Sequence, residues 1–413
     1  MASGAVGRRV GGRRGRVVAV AVVLAIAAVF GVRALRSGGG SASGAPWFGV
    51  IQVSPGSVST ISAAGLNRAV VGVSWRLYEP APGRIDPAYV AGIAALVSEL
   101  RSRGVGVVLD PGLQYPPDWV FQLPGATRFR DQYGVNWTGS TTDGTAVANA
   151  VFDPAVRRAE AAYLGRVAAD LGGRSFAAVR VGGLLSGELR YPPADDGAGH
   201  DNALWYFDTS AQSTAPVPGW RPGRGTQAQA TRELDAYLAA IAGYERWLLA
   251  TTASDFPTGE LPVLLPGWGL RPGQLAAALG DELDGRSRAE QGGMLASGED
   301  WPQQLAVLAR QPRALAYTTW LDAPSDGSSP QLISPVQYLA QLAAGYRVPV
   351  AGENTGQPSL SALQLCLSRV EALHLSGMMW MNAPDLLAGR GGVTLADYAR
   401  SAAEVRSAVR ELS

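Results

Sequence analysis

Short apolar runs alternate with longer amphipathic segments from Pro46 to the end of the chain. The short runs are almost continuously apolar, which is typical of parallel strands covered on both faces. The predicted strands are Phe48–Val53, Ala69–Trp75, Val105–Asp110, Ala177–Gly182, Leu261–Leu265, Leu315–Trp320, Val348–Gly352 and Ser376–Met381.

The amphipathic segments between these strands predict helices. In Pro87–Arg103 the apolar residues recur at helical spacing, and Gly104 ends the run. The other predicted helices are Pro154–Leu171, Thr226–Ala250, Pro335–Tyr346, Leu360–Leu375 and Thr394–Leu412. Eight repeats of a strand followed by a helix favour an α/β fold, a (β/α)₈ barrel over 46–413, rather than an open doubly wound sheet.

Two connections are unusually long, Pro111–Phe152 after the third strand and Leu184–Gly225 after the fourth. Both begin at the carboxyl end of a strand, where active sites of such barrels are built. Loops of this length are usually functional or disordered. Because both contain tryptophans among Gly, Pro and polar residues, we expect them to be ordered and functional.

The first 45 residues predict a targeting segment. An arginine-rich stretch over 1–16 precedes an apolar run from Val17 to Val32, and a Gly/Ser-rich linker follows over 37–45. At about 1.5 Å per residue the run forms roughly 24 Å of helix, which flanking residues extend toward bilayer thickness. The arginines predict a cytoplasmic amino terminus, a transmembrane signal anchor over 17–36 and a body outside the cytoplasm. Secretion after signal cleavage is the alternative.

Composition excludes several kinds of chemistry. The 35 basic and 34 acidic residues nearly balance, so no nucleic-acid partner is expected. All basic residues are arginines, which excludes Schiff-base lysines and a P-loop lysine. Cys366 is the only cysteine and is predicted to be buried, and His200 and His374 are the only histidines. We therefore predict no cofactor and no metal site. The sequence leaves the oligomeric state open.

Two glutamates carry the predicted chemistry. Glu188 follows the fourth strand in a glycine-rich segment, and Glu353 follows the seventh strand directly after Gly352. Strand ends of a barrel converge on one rim, so these distant residues are expected to meet there. A pair of carboxyl groups is what glycoside hydrolysis requires, because one protonates the leaving oxygen and the other attacks the sugar or activates water. The alternative is that each glutamate only pairs with an arginine.

The segments around both glutamates resemble those of a known family. The sequence Gly-Glu-Leu-Arg-Tyr-Pro over 187–192 resembles the motif around the acid of β-amylases, and Ala351–Asn354 resembles the segment with their general base. Trp75–Pro80 and Pro117–Val120 resemble both β-amylases and β-galactosidase-type barrels. The resemblance covers most of residues 47–390. It implies an inverting hydrolase with Glu188 as the acid and Glu353 as the base.

The chain also departs from this family. β-Amylases carry a Cys-Gly-Gly-Asn-Val-Gly-Asp lid after the third strand, whereas this chain has Asp110-Pro111-Gly112-Leu113-Gln114-Tyr115. The resemblance therefore does not extend to starch as substrate. Retaining relatives place Asn before the acid, and Gly187 stands there instead, which favours inversion.

Other residues at predicted strand ends are candidates for sugar binding. Tryptophans are expected to stack on sugar rings, and polar side chains to bond hydroxyls or support Glu188. The candidates are Glu79, Asp110, Arg190, Tyr191, Trp268, Trp320, Asn354, Trp380 and Asn382. For Glu79 and Asp110, structural pairing with Arg76 or Arg84 is the alternative.

The sequence thus predicts a glycoside hydrolase outside the cytoplasm that acts on a carbohydrate substrate by general acid–base catalysis. The alternative is a catalytically inactive barrel that binds cell-surface carbohydrate. A transferase that uses the same two carboxylates is a third possibility.

Overall fold

The computed structural model describes residues 45–139, 146–285 and 290–412. The predicted cytoplasmic segment, the transmembrane segment and all but the last residue of the linker lie outside these ranges. Within the described ranges, no helix combines the length and the apolar character needed to cross a membrane.

Eight parallel strands form one sheet in the order β4-β3-β2-β1-β8-β7-β6-β5. Isolated parallel bridges from Ala178 to Glu260 and from Val181 to Val263 join the two outer strands, so the sheet closes into a barrel. The strands are β1 Trp47–Val50, β2 Arg68–Gly72, β3 Gly106–Asp110, β4 Ala178–Val179, β5 Leu261–Leu264, β6 Ala314–Thr318, β7 Val350–Glu353 and β8 Gly377–Trp380. The predicted (β/α)₈ fold is confirmed.

Helices follow every strand. They are α1 Val58–Ala63, α2 Trp75–Tyr78, α3 Pro87–Ser102, α4 Pro154–Leu171, α5 Thr209–Gln212, α6 Gln227–Asp255, α7 Gln274–Leu283, α8 Glu290–Ser297, α9 Trp301–Leu308, α10 Pro335–Tyr346, α11 Leu360–Ala372, α12 Ala383–Leu387 and α13 Leu395–Leu412. Several helices begin directly after a residue whose side chain caps the first turn. Asp153 accepts hydrogen bonds from the backbone of the first turn of α4, and Ser334 forms a capping box with Gln337 at α10.

The structure corrects two parts of the predicted secondary structure. β4 has two residues instead of six, and only an isolated bridge from Val181 to Val263 continues the pairing before the chain turns at Gly183, whose φ is +104°. Helices α7, α8 and α9 between β5 and β6 were not predicted. They have ten, eight and eight residues, and neither α7 nor α9 has a side-chain cap at its N-terminus, so this signal for the start of a helix is missing there.

Alternate residues of each strand point to opposite sides of the sheet. One set fills the interior of the barrel: Trp47, Val70, Val108, Ala178, Leu264, Leu315, Tyr317, Ala351 and Met379. The other set packs beneath the helices in the larger core, which also buries Cys366 as predicted. At the carboxyl ends of β3, β4 and β7 the inward positions continue as Asp110, Arg180 and Glu353. The fold therefore places charged side chains on top of an apolar barrel interior.

Candidate active site

Glu353 is the last residue of β7, two positions after the interior residue Ala351. Its side chain is 1% exposed. The Tyr317 hydroxyl donates to Oε2 at 2.7 Å, and Nη2 of Arg180 lies 3.2 Å from the same oxygen. Burial raises the pKa of Glu353, while Arg180 and the Tyr317 hydroxyl oppose this shift by stabilising the carboxylate. These neighbours favour the ionised form that a general base needs.

Glu188 ends a tight turn that follows β4. The backbone N–H of Gly183 donates to the carbonyl of Gly187 at 3.1 Å, and that of Leu184 donates to the carbonyl of Glu188 at 3.1 Å. A Cβ on Gly182 would clash with the carbonyl oxygen of Gly187, so only glycine allows the chain to fold back this closely. The glycine-rich sequence before Glu188 therefore sets the position of its side chain.

The Glu188 carboxylate lies among three other groups. The Thr319 hydroxyl donates to Oε1 at 2.9 Å, and the Gly267 N–H donates to Oε2 at 3.3 Å. Nη1 of Arg190 lies 3.8 Å from Oε2. Burial raises the pKa of Glu188, and the negative charge of Glu353 adds to this rise, while Arg190, Thr319 and Gly267 oppose it. Burial and a second negative charge favour the protonated form that a general acid needs.

Strand β6 brings the two glutamates together. Tyr317 bonds to Glu353 and Thr319 bonds to Glu188, and alternate positions along a strand share one face. The register pairs Tyr317 with Ala351, which places Thr319 level with Glu353. The electrostatic effect of Glu353 on Glu188 agrees with this proximity. The two glutamates are 165 positions apart in the sequence (353 − 188 = 165). These contacts agree with the expectation that they meet at the barrel rim.

A third carboxyl group, Glu299, lies beside this pair and was not predicted. Its Oε2 accepts hydrogen bonds from the N–H groups of Trp268 at 2.9 Å and Gly269 at 3.0 Å, in the loop after β5. Burial raises its pKa to about 7, and the charge of Glu188 contributes to the rise, while Arg190 and the two N–H groups oppose it. Glu299 lies between α8 and α9, so a search of strand ends does not find it.

Two predicted tryptophans form an aromatic surface at the rim. The rings of Trp268 and Trp320 meet edge to face with their centroids 5.5 Å apart, and both are partly exposed. Nε1 of Trp320 has no hydrogen-bond partner among the described residues. The partly exposed faces of these rings are suited to stacking on the apolar face of a ligand.

Polar residues complete the rim. Asp110 ends β3, and its charge raises the pKa of Glu353. Asn354 accepts from the Met381 N–H at 2.7 Å, and its Nδ2 has no partner within the described part of the chain. Asn382 follows β8 in a left-handed conformation with φ of 63°. These residues lie on the predicted rim, as does Arg190 beside Glu188.

Three predicted residues are not brought to this site. Glu79 is 1% exposed and accepts from Trp75 Nε1, the Gly83 N–H and Arg166. Its partner is Arg166, not Arg76 or Arg84 as the sequence suggested. The other two are Tyr191 and Trp380.

Tyr191 and Trp380 belong to the core. The Tyr191 hydroxyl donates to the carbonyl of Tyr237 at 2.9 Å, so the expected hydrogen bond to Glu188 is absent. Trp380 is fully buried and packs on Tyr398 of α13 at a centroid distance of 6.0 Å. Its neighbour Met379 points into the barrel, so Trp380 faces the helices.

Comparisons with known proteins place this geometry among barrels of known fold. No family model matches the sequence, and no curated protein is significantly similar to it. The structure resembles the catalytic domain of a β-amylase from Paenibacillus polymyxa, with 14% identity and a TM-score of 0.64 over 87% of this chain and 98% of that one.

It also resembles two larger β-galactosidases. The enzyme from Marinomonas ef1 has 12% identity and a TM-score of 0.55 over 89% of this chain and 60% of its own. The enzyme from Halorubrum lacusprofundi has 15% identity and a TM-score of 0.53 over 87% of this chain and 57% of its own. At these identities the comparisons show a common fold. The expected resemblance to β-amylase and β-galactosidase barrels is confirmed at that level.

Proposed function

We propose that this protein is a glycoside hydrolase that cleaves O-glycosidic bonds in an oligo- or polysaccharide. The proposal depends on one observation: Glu188 and Glu353 are buried and accept hydrogen bonds from Thr319, directly after β6, and from Tyr317 within it. Two ionised carboxylates that are buried side by side cost free energy, and a pair in which one acid keeps its proton avoids that cost. Such pairs are concentrated at functional sites. Glycoside hydrolysis uses such a pair, with one acid protonated and the other ionised.

The surroundings assign the two roles. Arg180 and the Tyr317 hydroxyl stabilise the carboxylate of Glu353, which supports its action as general base on a water molecule. Arg190 is farther from Glu188, and the charge of Glu353 favours a proton on Glu188. Glu188 would therefore donate its proton to the leaving glycosidic oxygen. The resemblance to β-amylases gives the same assignment.

The rim supplies the binding surface for the sugar. Trp268 and Trp320, whose rings are partly exposed, would stack on sugar rings. Asp110 and Asn382 lie at the same end of the barrel and offer further polar contacts.

We infer an inverting mechanism. Gly187, which precedes the acid where retaining relatives have Asn, supports it, as does the motif shared with β-amylases. An inverting pair holds a water between carboxyl groups roughly 6.5–9.5 Å apart, and hydrolysis then releases the opposite anomer. Proton NMR of the first product formed distinguishes the two outcomes, and retention of configuration would contradict this mechanism while leaving hydrolysis intact.

Activity of two isosteric variants tests the proposed function. Glu188→Gln and Glu353→Gln should each reduce the release of reducing sugar by about 10²–10⁴-fold on whichever polysaccharide the wild type cleaves in a panel. Glu160→Gln is the matched control, because Glu160 is a buried glutamate that bonds to Tyr244 between α4 and α6. It should keep wild-type activity.

Two results would contradict the proposal: wild-type activity in either site variant, or the absence of activity in the wild type across the panel. Binding of polysaccharide on a glycan array without any release would support the catalytically inactive barrel instead. Circular dichroism of all variants verifies that they are folded.

We also propose that the catalytic body is held outside the cytoplasm by an anchor over 17–36. The arginine-rich stretch and the apolar run from Val17 to Val32 support this. Membrane fractionation and external protease digestion test it. Full-length protein should sediment with membranes and be digested in intact cells, whereas a shortened protein in the medium would indicate a cleaved signal.

A further inference from the structure

The two long rim loops meet at a cluster that the proposed catalysis does not use. Asp131 belongs to the connection between β3 and α4, and Asp196 and His200 belong to the connection between β4 and α5. One potential ligand atom from each of these side chains lies within 4.8 Å of the other two. Residues 65 positions apart in the sequence thus form one site (196 − 131 = 65).

Backbone donors fix both carboxylates in the same way. Oδ1 of Asp131 accepts from the N–H groups of Tyr133 at 3.0 Å and Val135 at 2.8 Å. Oδ1 of Asp196 accepts from the N–H groups of Ala198 at 2.7 Å and His200 at 3.1 Å. In each residue one oxygen is held by the loop, and Oδ2 remains for the cluster.

The remaining oxygen of Asp131 needs a cation or a proton. Asp131 is 1% exposed and Asp196 is 6% exposed. Oδ2 of Asp131 is buried and has no hydrogen-bond donor among the described residues. Two ionised carboxylates accept but do not donate, so neither satisfies the other. A buried acceptor without a partner is costly, and a bound metal ion removes that cost.

The loops also fix the imidazole. Nδ1 of His200 lies 2.6 Å from Oδ2 of Asp196. The His200 ring stacks on the Tyr133 ring with centroids 3.7 Å apart and an interplanar angle of 7°. The Tyr133 hydroxyl in turn donates to Oδ1 of Asn202 at 2.6 Å. The ring is therefore held before any ion binds, as in sites where neighbouring groups orient the ligands.

We propose that Asp131, Asp196 and His200 bind one divalent transition-metal ion of the Zn²⁺ class. One imidazole nitrogen and two carboxylate oxygens suit zinc, whereas calcium and magnesium prefer oxygen ligands alone. Ligand atoms around a tetrahedral zinc ion are roughly 3.3 Å apart. Nδ1 of His200 and Oδ2 of Asp196 are 2.6 Å apart, so their mutual hydrogen bond would open by about 0.7 Å when both bind one ion. A water molecule would complete the coordination. This proposal revises the expectation from the sequence that two histidines leave no room for a metal.

The ion would tie the two rim loops together. Glu188 and His200 belong to the same connection after β4, and Asp131 belongs to the neighbouring connection after β3. The proposed role is structural, since Glu188 and Glu353 act without it. The site therefore stands or falls independently of the proposed hydrolase activity.

Metal titration of the wild-type chain tests the proposal without any mutation. After dialysis against a chelator, Zn²⁺ should bind with a stoichiometry of one in calorimetry and raise the Tm by about 4 °C at a hundredfold excess over its Kd. Co²⁺ should give visible d–d absorption that Zn²⁺ displaces. If Zn²⁺ and Co²⁺ do neither, a proton shared between the two aspartates explains the cluster and the proposal is wrong. Tighter binding of Ca²⁺ than of Zn²⁺ would also overturn it.

Matched variants locate the site. His200→Gln and Asp131→Asn should weaken Zn²⁺ binding by at least roughly tenfold, because each removes a ligand. His374→Gln removes the only other histidine, and Asp195→Asn removes an exposed carboxylate next to Asp196. Both controls should bind Zn²⁺ as the wild type does. Unchanged affinity in His200→Gln and Asp131→Asn would overturn the assignment.

Discussion

Glu353 and Glu79 share burial and an ion pair, two features that often mark a functional acid. Glu353 ends β7 and Glu79 follows α2, both are 1% exposed, and both pair with an arginine, Arg180 in one case and Arg166 in the other. The two regions differ in what surrounds the pair. Around Glu79 an indole N–H and the Gly83 N–H complete the contacts. Around Glu353 there are other acids, Glu188 and Asp110.

The difference shows that burial and an ion pair do not identify a catalytic acid. Each oxygen of Glu79 is satisfied by donors of its own loop or by Arg166, so it holds α2 and the following turn in place. Near Glu353, Asp110 at the end of β3 and Glu188 in the loop after β4 bring further acidic groups to one rim, and burying several acids together costs free energy. The site at the carboxyl ends of β3–β7 is therefore marked by a group of buried acids, of which one needs a proton and another needs a negative charge. No single residue marks it.

Replacing each glutamate by glutamine should separate the two regions most clearly. Glu353→Gln should lower kcat by about 10³-fold because it removes the base, and it should also lower the free energy of unfolding because Arg180 stays buried without its carboxylate. Glu79→Gln should keep kcat/KM and lower the free energy of unfolding by about 2 kcal/mol, a value reduced because Arg166 is partly exposed. Steady-state kinetics and urea denaturation measure the two effects. A loss of turnover in Glu79→Gln without a loss of stability would contradict the distinction.

Much of the barrel was predictable because its signal is local. A strand buried on both faces must be apolar throughout, so all eight strands were found near their observed positions. The helices with a side-chain cap and a proline in the first turn, such as Pro154–Leu171 and Pro335–Tyr346, have their predicted bounds. Helices α7 and α9 have no side-chain cap. Both pack against α6, a long-range contact that no local pattern reveals.

The site was predictable only where it depends on strand ends. Glu188 and Glu353 follow strands, so topology alone predicts that they converge. Glu299 follows no strand, and its place beside Glu188 depends on the path of the chain between α8 and α9. Trp380 faces either the barrel interior or the helices, and a shift of one residue along the strand exchanges the two. A continuously apolar strand sequence does not distinguish them.

Glu299→Gln should change stability in a pH-dependent way. The pKa of Glu299 is about 7 in the folded protein, against an ordinary value near 4.5. The unfolded chain therefore releases this proton at lower pH, and the wild type loses stability as pH rises from about 4.5 to about 7. Glutamine does not ionise. The free energy of unfolding of the variant should therefore exceed that of the wild type by on the order of 3 kcal/mol at pH 8 and by almost nothing at pH 4.5.

Urea denaturation at both pH values measures this difference. Glu371→Gln is the matched control, because this substitution removes the same charge from an exposed position on α11. It should show no comparable gain. An equal gain for Glu299→Gln at both pH values would mean that charge burial at Glu299 does not oppose folding.

Tyr317→Phe should shift the pH dependence of catalysis. The Tyr317 hydroxyl lowers the pKa of Glu353, so its removal raises that pKa and the base becomes protonated at higher pH. The acidic limb of the pH profile of kcat/KM should move to higher pH. A rise of one unit in the pKa would lower kcat/KM about tenfold on that limb. Tyr244→Phe, which removes the same kind of hydroxyl–glutamate bond at Glu160, should leave the profile unchanged. An unshifted acidic limb in Tyr317→Phe would argue against Glu353 as the base.

Two tryptophan variants provide the finest comparison between the rim and the core. Trp268→Ala removes one of the two partly exposed rings at the rim, so KM should rise about fivefold while kcat changes little, as expected for a loss of about 1 kcal/mol in sugar binding. Trp380→Phe changes a ring that is buried against Tyr398, so it should lower the Tm and leave KM unchanged. Initial-rate kinetics and thermal denaturation of both variants test this. A rise in KM for Trp380→Phe alone would place the sugar surface on the β8 side of the barrel, since the distinction depends on which tryptophans face the solvent at the rim.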